Sequence, residues 1–223
     1  MSVSIAIDGP AGAGKSTIAK LVAEKLQIIY VDTGAMYRAM AVYLLRQKIS
    51  AQDAAKIEEA CQSADITITY EDGEQQVLLN GENVTGLLRS EEVGSMASAS
   101  APNQKVREKL TALQKKLARE ADVVMDGRDI GSKVLPDAKV KIYLTASVRT
   151  RALRRCSQLE KEGVQVSLEE IEADIQKRDE LDKNRENSPL IQAEDAVLVD
   201  SSEMTIDEVV ETILTIYRQR ECT

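Results

Sequence analysis

One stretch near the start of the chain settles more of its architecture than any other. Val3-Ser4-Ile5-Ala6-Ile7 alternates and is β-branched, as a short strand does, and it runs into Gly9-Pro10-Ala11-Gly12-Ala13-Gly14-Lys15-Ser16-Thr17. Ile18, Leu21, Val22 and Leu26 then recur at helical spacing. Gly9-x4-Gly14-Lys15-Ser16 satisfies the phosphate-loop pattern in full. Glycines let the backbone approach an anion with no Cβ in the way, and successive N–H groups with the helix N-terminus then face it. Lys15 adds a whole positive charge, and the Ser16 hydroxyl is placed to ligate Mg²⁺ beside the phosphates. The motif points strongly to triphosphate binding and says little about the fate of the triphosphate.

The rest of the chain continues the strand–helix rhythm. Ile28–Val31 reads as a buried strand, followed by Asp32-Thr33-Gly34 and a helix to about Leu45; a third helix covers Ala54–Gln62. Between Asp65 and Gly86 the texture changes. Ile66, Ile68 and Tyr70 alternate with polar residues, and Asp72-Gly73 and Asn80-Gly81 are hairpin turn signals, which predicts a small antiparallel insertion. Val106, Leu110, Leu113 and Leu117 mark a helix; Ala121–Met125, Val140–Leu144 and Ala196–Val199 mark strands. An arginine-rich helix is expected over Val148–Lys161. Ser167-Leu168-Glu169-Glu170 reads as a capping box opening a long helix, and Thr205-Ile206-Asp207-Glu208 caps the last one. The expectation is an α/β fold: a three-layer parallel sheet wrapped by helices, with a small antiparallel β insertion and a short arginine-rich helical lid.

Absences narrow the chemistry. The 223 residues contain no His, which removes Ser-His and Cys-His nucleophilic catalysis and His-ligated zinc. Trp and Phe are also absent, so the core is aliphatic and single-strand binding by aromatic stacking is disfavoured. A net charge of −8 argues against nonspecific duplex binding. Cys61, Cys156 and Cys222 are odd in number and never paired as CxxC, which suits reduced thiols. The longest apolar run, Ala39–Leu45, is far short of the ~20 residues that span a bilayer, and Met-Ser-Val-Ser-Ile lacks a basic signal region. The expected setting is cytoplasmic, without membrane or nucleic-acid polymer as partner.

Three nucleotide-using classes stay open: a phosphotransferase, a switch GTPase and a mechanical ATPase. No Asn-Lys-x-Asp guanine motif occurs, and Asp126 after Val123-Val124-Met125 is followed by Gly127-Arg128 rather than by Glu. Arg149, Arg151, Arg154 and Arg155 crowd into seven residues, and Arg128–Arg185 carries 13 basic against 11 acidic groups, +2, which leaves −10 for the remainder. Arginine gathers where phosphoryl charge is held, although a solvated helix face would look the same. Arg178, Asp182 and Arg185 fall at i, i+4 and i+7, one helix face, which suits either intrahelical ion pairs or a grip on a second nucleotide. A kinase for another small phosphate acceptor and a non-catalytic ATP-binding module remain alternatives.

Taken together, Ile7–Ser16, Asp32-Thr33-Gly34-Ala35-Met36-Tyr37-Arg38, Asp126-Gly127-Arg128-Asp129-Ile130-Gly131 and Arg178-Asp179…Asp182…Asn184-Arg185 resemble the bacterial-type cytidylate kinases over essentially the whole chain. The resemblance implies transfer of phosphate from ATP, with Mg²⁺, to CMP and dCMP; a monomer is the expected state. It implies that Thr33, Arg38, Arg128 and Arg185 hold the acceptor phosphate or nearby sugar, and that Ser98, Arg107 and Asp129 read cytosine. Arg178 and Asp182 would contact the pentose hydroxyls, and Arg151, Arg154 and Arg155 would close over ATP. Lys15, Arg128 and Arg185 are the expected catalytic groups. Ala11 and Thr33 stand where some members have Ser, and Ser16 where some have Gly. The implied division is a nucleotide-binding core over 1–33, 101–148 and 167–223, a monophosphate-binding domain over 34–100 with its β insertion at about 65–86, and a lid over 149–166.

Overall fold

The computed structural model describes residues 3–161 and 163–221; Glu162 and Cys222 lie outside them. The chain opens with β1 (Ser4–Asp8), α1 (Lys15–Leu26), β2 (Ile29–Asp32), α2 (Thr33–Arg46) and α3 (Ala54–Ser63). The insertion supplies β3 (Ile66–Glu71), β4 (Glu74–Leu79) and β5 (Glu82–Asn83). After it come α4 (Glu91–Ser100), α5 (Gln104–Glu120), β6 (Val123–Gly127), β7 (Val140–Thr145), α6 (Val148–Lys161), α7 (Leu168–Asn184), β8 (Val197–Asp200) and α8 (Ile206–Glu221).

Five strands form one parallel sheet in the order β2-β6-β1-β7-β8, and β3-β4-β5 form a separate antiparallel sheet. The inner strands β1, β6 and β7 are largely buried on both faces, which explains why they read as apolar runs. Ile5 and Ile7 of β1 pack with α1 and α8, while Ala6 between them packs with the α2 side, the period-two alternation of a strand. Val124 and its neighbours Val123 and Met125 divide the same way. The register pairs Ile7 with Asp126, Asp8 with Gly127 and Asp32 with Asp126, so Asp32 and Asp126 stand level and Asp8 one residue beyond them on the sheet's C-terminal edge. Ligands of open α/β sheets bind at that edge.

The insertion forms as its turn residues dictate. Asp72 and Gly73 have φ of 51° and 79°, the paired positive values of a two-residue hairpin, and Asn80 and Gly81 repeat them. The hairpin then covers the sheet edge: Tyr70 donates to the Tyr30 carbonyl at 3.1 Å, and the Gln75 side chain bonds both the N–H and the carbonyl of Asp32, at 2.8 and 3.2 Å. Backbone groups that β2 would leave exposed are thereby occupied.

Some local details differ from the sequence pattern. Ser167 caps α7 by accepting from Glu170 N, but its hydroxyl bonds Glu169 rather than Glu170. At α8 the box is reciprocal, with Thr205 and Glu208 each bonding the other's backbone N–H. Arg185 lies just past α7 with extended backbone (ψ 140°), so it leaves the helix face it was expected to share with Arg178 and Asp182. The turn-forming run Glu186-Asn187-Ser188-Pro189 follows it and stops the helix there. Helix α4 and a single π turn at Ile130–Val134 had no clear sequence signal. Among the described residues Cys61 and Cys156 are free thiols, and no helix is long and apolar enough to cross a membrane.

Candidate active site

Two cavities meet at the phosphate loop. The first, about 540 Å³, is lined by Gly12 to Ile18, by Arg151, Arg154 and Arg155 of α6, and by Met204 and Ile206 before and within α8. The second, about 300 Å³, lies on the other side of Lys15. Gly12, Lys15 and Ser16 belong to both walls.

The loop itself is built for an anion. Gly14 is the N-cap of α1 with φ 88°, a conformation costly for any side chain, and no side chain occupies the free N–H groups of the first turn. Lys15 folds back to donate to the Pro10 carbonyl at 2.8 Å. Burial, and Arg128 nearby, push its ammonium pKa down. Gly9 and Pro10 line neither cavity, and Ala11, Gly12, Ala13 and Thr17 line one or other.

Asp126 and Asp8, to which the sequence reading gave no role of their own, lie close to the loop. The Ser16 hydroxyl donates to Asp126 Oδ2 at 2.9 Å and the Tyr30 phenol to Oδ1 at 3.0 Å. Burial and Asp32 raise the Asp126 pKa. Asp8 accepts from the backbone N–H groups of Ile130 and Gly131 at 2.8 and 2.7 Å, which fixes the loop carrying Arg128 and Asp129 against β1. The available signal for both was an Asp closing an apolar strand. A hydroxyl and a carboxylate beside the phosphates are the hard oxygen set that Mg²⁺ takes, so the residues fit that ion. No group of three metal-ligating side chains exists among the described residues.

The second cavity gathers every residue expected to hold the acceptor. Thr33 and Arg38 come from α2, Ser98 from α4, Arg107 from α5, Arg128 and Asp129 from the loop after β6, and Arg178, Asp182 and Arg185 from α7 and its end. Thr33 donates to the Asp126 carbonyl at 2.6 Å. Arg128 pairs with Asp182 at 2.9 Å, and Arg185 reaches the same carboxylate at 3.7 Å while donating to the Ser188 carbonyl at 2.6 Å. Burial pushes the Asp182 pKa up, but Arg128, Arg185 and Arg178 outweigh it and hold it below the ordinary carboxylate value. Asp182 thus braces arginines in this structure, whereas the resemblance assigned it to the sugar.

Arg38 and Arg178 form no ion pair among the described residues, and Arg185 Nη2 is buried without a partner. Guanidinium groups left unspent around one cavity are what a doubly charged phosphate requires. In the same cavity Arg107 and Asp129 form a buried ion pair; Arg107 also donates to the Ala101 carbonyl and lies 5.6 Å over the Tyr37 ring. Burial raises the Tyr37 phenol to about 12, so it stays neutral there. Gln114, absent from the sequence reading, lines the same cavity with its amide nitrogen unpartnered, an arrangement that costs about 1–3 kcal/mol.

Arg151, Arg154 and Arg155 of α6 have different surroundings. Arg151 is buried, pairs with Asp179 through both nitrogens and donates to the Ala11 carbonyl at 3.0 Å. Arg154 donates to the Ser201 hydroxyl and carbonyl, and Arg155, exposed, to Gln158.

The family model for cytidylate kinase matches residues 5–219. Cytidylate kinase of Desulforamulus reducens is 52% identical over 211 residues, covering 95% of this chain and 95% of that protein. Those of Caldicellulosiruptor bescii and Carboxydothermus hydrogenoformans are 47% and 49% identical, covering 96% and 95% of this chain and 95% and 96% of theirs. Among solved structures, shikimate kinase from Acinetobacter baumannii superposes with a TM-score of 0.50 at 16% identity, covering all of this chain and 97% of that one. That likeness is one of fold.

Proposed function

The chain belongs to the cytidylate kinase family, and from that premise we propose that it transfers the γ-phosphoryl group of ATP directly to CMP, and to dCMP, releasing ADP and the nucleoside diphosphate. The observation that carries the reading is the shared wall of the two cavities at Gly12, Lys15 and Ser16, which lets a phosphoryl group pass between nucleotides bound on either side.

In this reading ATP lies against the phosphate loop, with α6 and the start of α8 beside it. Arg154 and Arg155 face its phosphates or base, and Arg151 braces the loop through Ala11. The CMP phosphate sits among Arg38, Arg128, Arg178 and Arg185, near Thr33, and its base lies toward Asp129, Arg107 and Ser98. Ser16 and Asp126 would hold Mg²⁺, which, when bound, offsets charge on the β- and γ-phosphates.

The acceptor phosphate is mostly dianionic at neutral pH, its second pKa being ~6, so no general base is needed and a chain without His is sufficient. Two anions must instead be aligned in a site closed to water, and repulsion between them countered. Lys15 would stabilise the moving group, with Arg128 and Arg185 acting on the acceptor side. Asp129, an acceptor when ionised, suits the exocyclic amine of cytosine and repels the uracil carbonyl at that position. A cytoplasmic monomer acting on small nucleotides fits the −8 charge and the covered β2 edge.

Incubation with MgATP and a panel of nucleoside monophosphates tests the proposal. ADP and CDP formed in step with CMP are expected; ATP binding with no CMP-dependent ADP would instead favour a non-catalytic module, and preference for another monophosphate would replace the acceptor.

A further inference from the structure

Gln114 sits two helical turns after Arg107 on α5, which puts both side chains on one face of that helix. It is 1% exposed, although glutamine is ordinarily a surface residue. Among the described residues two buried side-chain atoms have no hydrogen-bond partner, Arg185 Nη2 and Gln114 Nε2, and both residues line the acceptor cavity. Two orphaned donors in one pocket point to a ligand carrying acceptors at two separate places. Arg185 is held by Asp182 and the Ser188 carbonyl beside Arg128, where the phosphate or sugar of the acceptor accounts for it. Gln114 shares helix α5 with Arg107 and belongs to the end where Asp129 and Arg107 lie.

We infer that Gln114 binds the pyrimidine ring of the acceptor, its amide nitrogen donating to the ring O2 carbonyl. The inference rests on the acceptor reading given above and extends it by one residue. In the acceptor reading Asp129 accepts from the exocyclic amine and Arg107, itself held by Asp129, donates to the ring acceptors, of which O2 is the one a second donor would share. Arg107 already spends nitrogens on Asp129 and the Ala101 carbonyl, whereas the Gln114 nitrogen is uncommitted. The terminal amide turns about a soft torsion, so it can meet a ring without movement of α5.

Gln114→Met, nearly the same volume but without polar atoms, separates this role from a structural one. With its orphaned donor gone, the variant should melt at or above the wild-type temperature in the absence of nucleotide. Its KM for CMP should rise about five- to tenfold, with kcat and the KM for ATP within about twofold of wild type. O2 is common to cytosine and uracil, so the preference for CMP over UMP should stay within about twofold. An unchanged KM for CMP, or a lowered melting temperature with both KM values shifted together, overturns the role; a collapsed CMP preference overturns the O2 assignment. Should the variant not fold, Gln114→Asn, an amide one methylene short, must raise the KM for CMP in the same selective way. Failure of the wild-type protein to phosphorylate CMP would strike the acceptor reading itself and is read in the same assay.

Discussion

Arg151 of α6 and Asp179 of α7 face each other as a two-pronged ion pair, at 3.0 and 2.6 Å, and the same guanidinium reaches the Ala11 carbonyl of the phosphate loop. One buried arginine therefore ties the α6–α7 pair to the anion cradle. Asp179→Ala leaves that charge uncompensated at 3% exposure, and breaking such a pair costs about 3–5 kcal/mol. Urea unfolding should show a loss of that size; a loss below about 1 kcal/mol would mean that the carbonyls of Ala11 and Ala146, which accept from Arg151 at 3.0 and 2.9 Å, satisfy it alone.

Lys15 behaves in the opposite way. Burial and Arg128 already disfavour its charge, so Lys15→Met should leave the unfolding midpoint unchanged or raised. Phosphoryl transfer should fall by at least about 10²–10³-fold, the size of losing one charge-stabilising donor in a closed site. Turnover near the wild-type rate in a folded variant would remove Lys15 from the reaction.

Asp129 is bonded to Arg107 in the second cavity, where we propose that the base is read. Asp129→Ala should erase most of the discrimination between CMP and UMP, measured as the ratio of kcat/KM values. An unaltered ratio assigns base reading to other groups.

Asp8 gives a pH signature. Burial pushes its pKa up to about 6, against the pull of the Gly131 and Ile130 N–H groups. An unfolded Asp titrates near ~4, so between these values the folded protein keeps a proton that the unfolded chain releases. The associated stability is complete below pH ~4 and is lost as pH rises through about 6. Asp8→Asn removes this titration. The stability of wild type relative to the variant should therefore decline by about 2–3 kcal/mol between pH ~4 and pH ~7. A difference that stays flat across this range contradicts the assignment.

Local signals were the most legible. The phosphate loop, the Asp72-Gly73 and Asn80-Gly81 turns and the span of α6 depend on neighbours within a few residues, and each formed where its residues indicated. The acceptor residues came from resemblance rather than from spacing, and the fold brings all nine to one cavity. Gln114 and Asp8 gave little warning, because a buried Gln and a solvated one look alike in a helical pattern. The three lid arginines looked equivalent along the chain, yet one is buried on Asp179, one bonds Ser201 and one faces solvent.

The amino-acid order alone determined that the chain would be an α/β protein with an anion cradle at its first helix, because glycine freedom, strand alternation and helical periodicity act over short distances. Which side chains stand opposite each other across the cradle was decided only by tertiary packing. Asp32 and Asp126 become neighbours through strand register, and Arg151 meets Asp179 through the pairing of α6 with α7. Charges separated by tens of residues interact only once folding has brought them within a few ångströms and excluded water from between them.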